Sequence, residues 1–189
     1  MLTDRLKTST RQAHQDLEKL IIQKIKALRS EQEYANFLKA FYGYIAALEI
    51  EIERVITADL VADFHERRKA ASLLEDIKTF NPFASEPVLC KDIPEIRTFG
   101  QALGALYVLE GSTLGGRFIL KMIADRLNLQ TPHGLTFFRG YGEKTELMWE
   151  TFKESLNNRG SEPHIAADII ESANQTFIKF EKWINSLQW

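Results

Sequence analysis

The sequence predicts an all-α protein. Apolar residues recur at three- and four-residue spacing along almost the whole chain, which is one face of a helix repeated. No alternating run long enough for a strand interrupts them, and the breaks between periodic segments are rich in glycine and proline. The 189 residues fit one domain spanning 1–189, a multi-helix bundle. Apolar residues make up 44% and charged residues 26%, which excludes disordered and fibrous classes. A chain of this size buries roughly 70% of its unfolded surface, enough for a core and an internal ligand pocket.

The elements follow in order. From Leu2 to Ile25, Leu6, Ala13, Leu17, Leu20 and Ile21 mark one helical face, with Thr3 and Asp4 suited to its start. Ser30 with Glu33 forms a capping box that opens a second helix running to about Ile56, with Tyr34, Phe37, Leu38, Phe41, Tyr44, Ile45 and Leu48 turned inward. A third covers Phe64 to Phe80 and stops at Asn81-Pro82, because proline cannot continue it. Phe83 to Ile93 reads as loop. Asp92 and Pro94 then open a long apolar helix containing the run LEGSTLGGR, Leu109 to Arg117. After Leu129 the connection TPHGLTFFRGYG leads into a helix from about Lys144 to Leu156. Ser161, with Pro163 in the first turn, starts a last helix ending near Trp189.

Charge and cysteine content narrow the function. Lys and Arg number 24 against 26 Asp and Glu, a net charge of −2, so no basic excess exists to displace counterions from nucleic acid. The single cysteine, Cys90, excludes an internal disulfide and a multi-cysteine zinc site. The N-terminal stretch carries charges every few residues and no stretch approaches a spanning helix. The expectation is a cytoplasmic protein with no signal peptide and no membrane partner.

Two groups of residues stand out chemically. Gly111, Gly115 and Gly116 lie inside a helical pattern, where each costs about 1 kcal/mol relative to alanine. Either two backbones pack closely across the small-xxx-small pair Gly111/Gly115, or a flat ligand lies against a bent helix where any Cβ would collide with it. Ser112 and Thr113 add hydroxyls. His14 falls about 80° from the centre of its apolar stripe, on the shoulder of the helix. Lys7 points within about 20° of it and roughly 10 Å away along a continuous helix, and Glu18 is one turn on. This reads as a boundary histidine paired with a carboxylate, or as a metal-ligating imidazole oriented by Glu18. His65, His133 and His164 form no HxxxH pair.

LKTSTRQAHQDLE near the start and LGALYVLEGSTLGGRFIL about a hundred residues later together resemble the heme oxygenase family, specifically its bacterial biliverdin-producing branch. The resemblance extends in helix order over essentially the whole chain. It implies that His14 is the axial ligand to heme iron, that Glu18 hydrogen-bonds this histidine, and that Lys7 pairs with a heme propionate. It implies that Gly111, Gly115 and Gly116 lie over the heme face. Two departures are visible. Ser112 stands where animal-type members have an aspartate, so the water network that delivers protons must be anchored differently. Tyr107 lies one residue from a propionate-contacting tyrosine of those members. Arg139, Lys144 and Lys153 are the candidates for the second propionate.

Taken as implied, the activity is cleavage of heme with O2 and electrons to biliverdin, CO and ferrous iron, heme being cofactor and substrate together. Gly111, Ser112 and Gly115 would form the catalytic distal wall; His14, Lys7, Glu18, Tyr107 and Gly116 would hold the heme, with a ferredoxin or reductase as electron donor. The 17 Phe and Tyr residues suffice for an apolar box around a heme, and equally for an ordinary core. The alternative is a non-catalytic heme carrier or sensor of the same fold. A third class, a thiaminase-like enzyme without heme, would need carboxylate or cysteine catalysis, and only Cys90 is available.

Overall fold

A computed structural model describes residues 1–57, 60–61, 63–67, 69–130, 132–160 and 162–187. Its helices are α1 (Leu2–Ser9), α2 (Arg11–Ala27), α3 (Glu31–Glu53), α4 (Ala71–Phe80), α5 (Phe99–Leu127), α6 (Thr136–Arg139), α7 (Thr145–Arg159) and α8 (Pro163–Ser186). Short 3-10 turns cover Phe64–Glu66 and Gly142–Lys144, and the described residues contain no strand. The fold is all-α, as the periodicity predicts.

Several boundaries differ, each for a physical reason. The expected first helix divides at Thr10, whose backbone (φ −97°, ψ 0°) leaves the helical region. Its hydroxyl donates to the Leu6 carbonyl at 2.8 Å. Thr8, Ser9 and Thr10 in succession offer such local bonds in competition with helix continuation. A single helical wheel therefore does not relate Lys7, on α1, to His14, on α2. Ser30 caps α3 by accepting from the Glu33 N–H at 3.2 Å, but the Glu33 carboxylate accepts from Arg29 N–H, at 2.8 Å, not from that of Ser30. The expected helix 64–80 is regular only from Ala71, because Arg67 is extended (φ −75°, ψ 150°) and turned into the interior. It ends at Phe80, ahead of Pro82. The long helix α5 begins at Phe99, not at Asp92 or Pro94. Its cap is Thr98, whose hydroxyl accepts from Gln101 N–H (3.2 Å) while the Gln101 side chain accepts from Thr98 N–H (3.1 Å). Asp92 instead bonds Lys179 of α8 at 2.6 Å, which holds its carboxyl below the usual range. The glycine-rich connection holds the short α6, and α7 extends to Arg159. Ser161 and Trp189, expected at the ends of the last helix, lie outside the described residues; α8 itself ends at Ser186.

The centre of the molecule is α5 laid along α8, with α2 and α3 packed on both. Glycine makes that approach possible: a Cβ at Gly104 would strike the Ile169 carbonyl oxygen. Much of the aromatic content is core, with Tyr44 stacked on Phe180 at 4.4 Å and Phe41 edge-on to Phe138 and Phe180.

The turn before α6 is fixed from beneath. Tyr34 donates its hydroxyl to the Gly134 carbonyl at 2.8 Å, and Gly134 (φ 67°) has no room for a side chain against Phe80. Asp76 of α4 accepts from the N–H groups of Thr136 and Phe137 at 2.9 and 2.8 Å, so it closes the start of α6. Burial raises its carboxyl, opposed by those two bonds. Asp76→Ala leaves the buried Phe137 N–H and the part-buried Thr136 N–H without their acceptor and should lower unfolding stability by about 2 kcal/mol. A denaturant midpoint that falls with an unchanged slope checks this.

Candidate functional site

The glycine run on α5 separates into two roles. Gly116 is buried, and a Cβ there would collide with the Phe138 carbonyl oxygen, so this glycine lets α6 sit against α5. Gly115 is exposed, and a Cβ there meets no atom of the described residues within 4 Å. Gly111 is intermediate: its Cβ would touch the Trp149 ring at 3.6 Å, an ordinary contact. Among the described residues no second backbone comes within 4 Å of a Cβ at Gly111 or Gly115, so close helix packing does not account for that pair. Leu114 and Phe118 beside them are 46% and 60% exposed, unusually open for large apolar side chains on a buried helix. A strip of bare backbone flanked by exposed apolar groups has room for a flat apolar ligand.

The hydroxyls in this strip are turned to their own helix. Ser112 donates to the Leu109 carbonyl and Thr113 to the Glu110 carbonyl, both at 2.7 Å. Such i−3 bonds locally loosen a helix that three glycines have already softened.

On α2, the imidazole of His14 lies on the exposed side of the helix, its ring edge-on to Phe177 of α8 at 5.3 Å. Ala13 and Leu17 take the buried face. Glu18, one turn on, is exposed and makes no hydrogen bond to His14 among the described residues. Lys7 is exposed in the last turn of α1. Tyr107 is half-buried on α5, 5.5 Å from the Trp149 ring, and burial raises its phenol.

The three candidate cations for a second carboxylate part company. Arg139 and Lys144 line a cavity of about 670 Å³ together with Arg117, Tyr141 and Gly142. Lys153 sits on α7, with its ammonium 5.9 Å from the Trp149 ring centre and 2.9 Å from Glu150. The Asp4 carboxylate is held low first by its hydrogen bond to the Met1 ammonium, then by the charges of Lys153 and Lys7. Helix α1 packs against α7, with Thr3 N–H donating to Asn157 Oδ1 at 3.3 Å, so Lys7 and Lys153 lie on neighbouring helices, and Trp149, close to Lys153, stands against the Gly111 position.

Sequence reading overlooked two features of this region. Trp149 has no motif around it and is identified only by its contact with Gly111. Glu110 lies within LEGSTLGGR, and the sequence reading gives it no role. Its buried carboxylate accepts from Arg67 at 2.6 Å and from the Tyr141 hydroxyl at 2.9 Å. The signal available was a lone carboxylate amid buried apolar positions, which demands a partner.

Residues 1–186 match the heme oxygenase family, and the chain belongs to it. A curated relative, heme oxygenase of Xanthomonas campestris pv. campestris (strain 8004), is 27% identical over 147 residues, which is 78% of this chain and 86% of that protein. Among solved structures, the NO- and CO-bound heme oxygenase from Neisseria meningitidis superposes with a TM-score of 0.80 at 22% identity, covering 98% of this chain and 91% of its own. Heme oxygenase from Leptospira interrogans gives 0.79 at 19%, covering 98% and 99%. The fold is the heme oxygenase fold, the protein is an enzyme of that family, and heme is its cofactor and substrate. No helix among the described residues is long and apolar enough to cross a membrane.

Proposed function

We propose that this chain, acting as one domain over residues 1–189 in the cytoplasm, cleaves heme to biliverdin, CO and ferrous iron. O2 and electrons from a ferredoxin or reductase drive the reaction. The open backbone at Gly115, flanked by exposed Leu114 and Phe118, carries this reading: it is a face a planar macrocycle covers and a side chain would obstruct. The chemistry fits the residues present, since bound heme supplies the iron that activates O2 and the protein needs only to ligate, orient and admit protons.

His14 would ligate the heme iron through one imidazole nitrogen, with Glu18 near enough in sequence to turn toward the other. Lys7 and Lys153, on the adjacent helices α1 and α7, offer two cations to the two propionates, which favours Lys153 over Arg139 and Lys144 in their separate cavity. Gly111, Gly115 and Tyr107, with Trp149, would form the distal wall. Gly116 supports that wall from behind, through its contact with Phe138. Ser112 donates its hydroxyl to the Leu109 carbonyl, so a water anchored there would be bound through that water's hydrogen. The absence of a histidine in this strip leaves backbone groups and water to hand over protons.

The deciding experiment supplies hemin, reductant and air with catalase present, so that free peroxide does not bleach the heme. The Soret band should give way to the broad absorbance of biliverdin. Ser112→Ala should slow this by about tenfold without stopping it, since one water anchor among several is lost. A stable complex that reverts to ferric heme without bile pigment would falsify the reading and leave a heme carrier.

A further inference from the structure

The distal segment of α5 is soft by composition, yet its function requires a fixed backbone. Leu109–Gly116 holds three glycines and two hydroxyls bonded back three residues. At its C-terminal end, Gly116 rests on the Phe138 carbonyl. At its N-terminal end stands a buried polar cluster. The Arg67 and Glu110 side chains are 1% and 3% exposed and joined at 2.6 Å. Arg67 also gives Nε and Nη2 to the two oxygens of Asp63 at 3.0 and 2.8 Å, and its guanidinium lies 5.0 Å over the Phe152 ring. Tyr141 donates its hydroxyl to Glu110 from the other side. Three remote parts of the chain thus meet one residue before Gly111: the α3–α4 connection, the α6–α7 connection and α5 itself.

Burying ions is costly, and a hydrophobic cluster of the same volume would stabilise the fold at least as well. What an ion cluster adds is direction, because each bond has a fixed length and angle. We propose that Arg67, Glu110 and Tyr141 are positioning residues that clamp the start of the glycine segment and fix the rotation of Gly111, Ser112 and Gly115 toward the heme cleft. The assignment rests on the reading of that segment as the distal wall. Tyr141 lines the open cavity beside Arg117 and Lys144 and also reaches Glu110, so the clamp extends from the surface to the distal helix.

Tyr141→Phe removes one hydroxyl and leaves the Arg67–Glu110 pair in place; Glu110→Gln keeps the shape and removes the charge. Amide hydrogen exchange in the heme-free protein reads the clamp directly. Peptides spanning 109–116 should exchange about tenfold faster in either variant, with α3 and α8 unchanged. Heme affinity, from hemin titration of the same samples, should stay within about threefold of the parent while the rate of heme consumption falls about tenfold. Unchanged exchange at 109–116, or acceleration shared equally by α3 and α8, overturns the clamp, the latter because it marks general loss of stability. If the parent protein takes up no hemin at all, the functional reading fails instead, and the exchange result still decides the clamp.

Discussion

His14→Ala should cost the protein its heme. The parent should bind hemin one to one with the Soret band of a histidine-ligated iron. The variant should show a shifted band and an affinity lower by at least 100-fold, because losing a ligand outright exceeds the 10- to 100-fold typical of losing its supporting partner. The imidazole is well placed for this test. It lies on the exposed side of α2 and its visible contact is edge-on to Phe177, so its removal opens no cavity of consequence and the variant should fold. The other histidines are the controls. His133 sits edge-on to Phe80, His65 beside Phe64, and His164 is exposed near Glu162, all with ring or charge neighbours that explain them locally. If one of those three variants loses the band while His14→Ala keeps it, the axial assignment is wrong.

The fold class was legible because helical periodicity survives single-residue errors; the boundaries were not, because they depend on which local bond wins. Thr98 and Gln101 spell a capping box that marks the start of α5 in the sequence, but Asp92 and Pro94 offer an equally plausible start. Lys179 of α8, 87 residues away, takes Asp92 out of that contest. Arg67 looks like one more helical charge, but it is extended and its side chain is turned inward to Glu110, 43 residues away, a contact that periodicity does not show. The site divides in the same manner. Local motifs single out His14 and the glycines as candidates, since each is anomalous in its own helix. Trp149, Lys153 and Glu110 acquire meaning only from contacts between helices, to which periodicity is blind. Nor could spacing separate Gly115 from Gly116: adjacent in sequence, they lie about 100° apart on α5, so one meets open space and the other meets α6.

That separation yields the sharpest expectation. Gly115→Leu should abolish heme uptake while the heme-free protein becomes slightly more stable. Leucine is a better helix former than glycine by nearly 1 kcal/mol, and nothing among the described residues obstructs its Cβ. Exposure of one more apolar side chain beside Leu114 and Phe118 offsets part of that gain, so the net change should lie between zero and about +1 kcal/mol. The lost heme binding has a different origin, because the new isobutyl group fills the strip the macrocycle must cover. Gly116→Leu is the opposite case: its side chain is driven into the Phe138 carbonyl, and overpacking of this kind costs about 1–3 kcal/mol. Thermal or denaturant unfolding without heme, followed by hemin titration of the same samples, measures both quantities. A destabilised Gly115→Leu protein that still takes up hemin normally would mean that Gly115 serves helix packing, and the ligand face must then be sought elsewhere on α5.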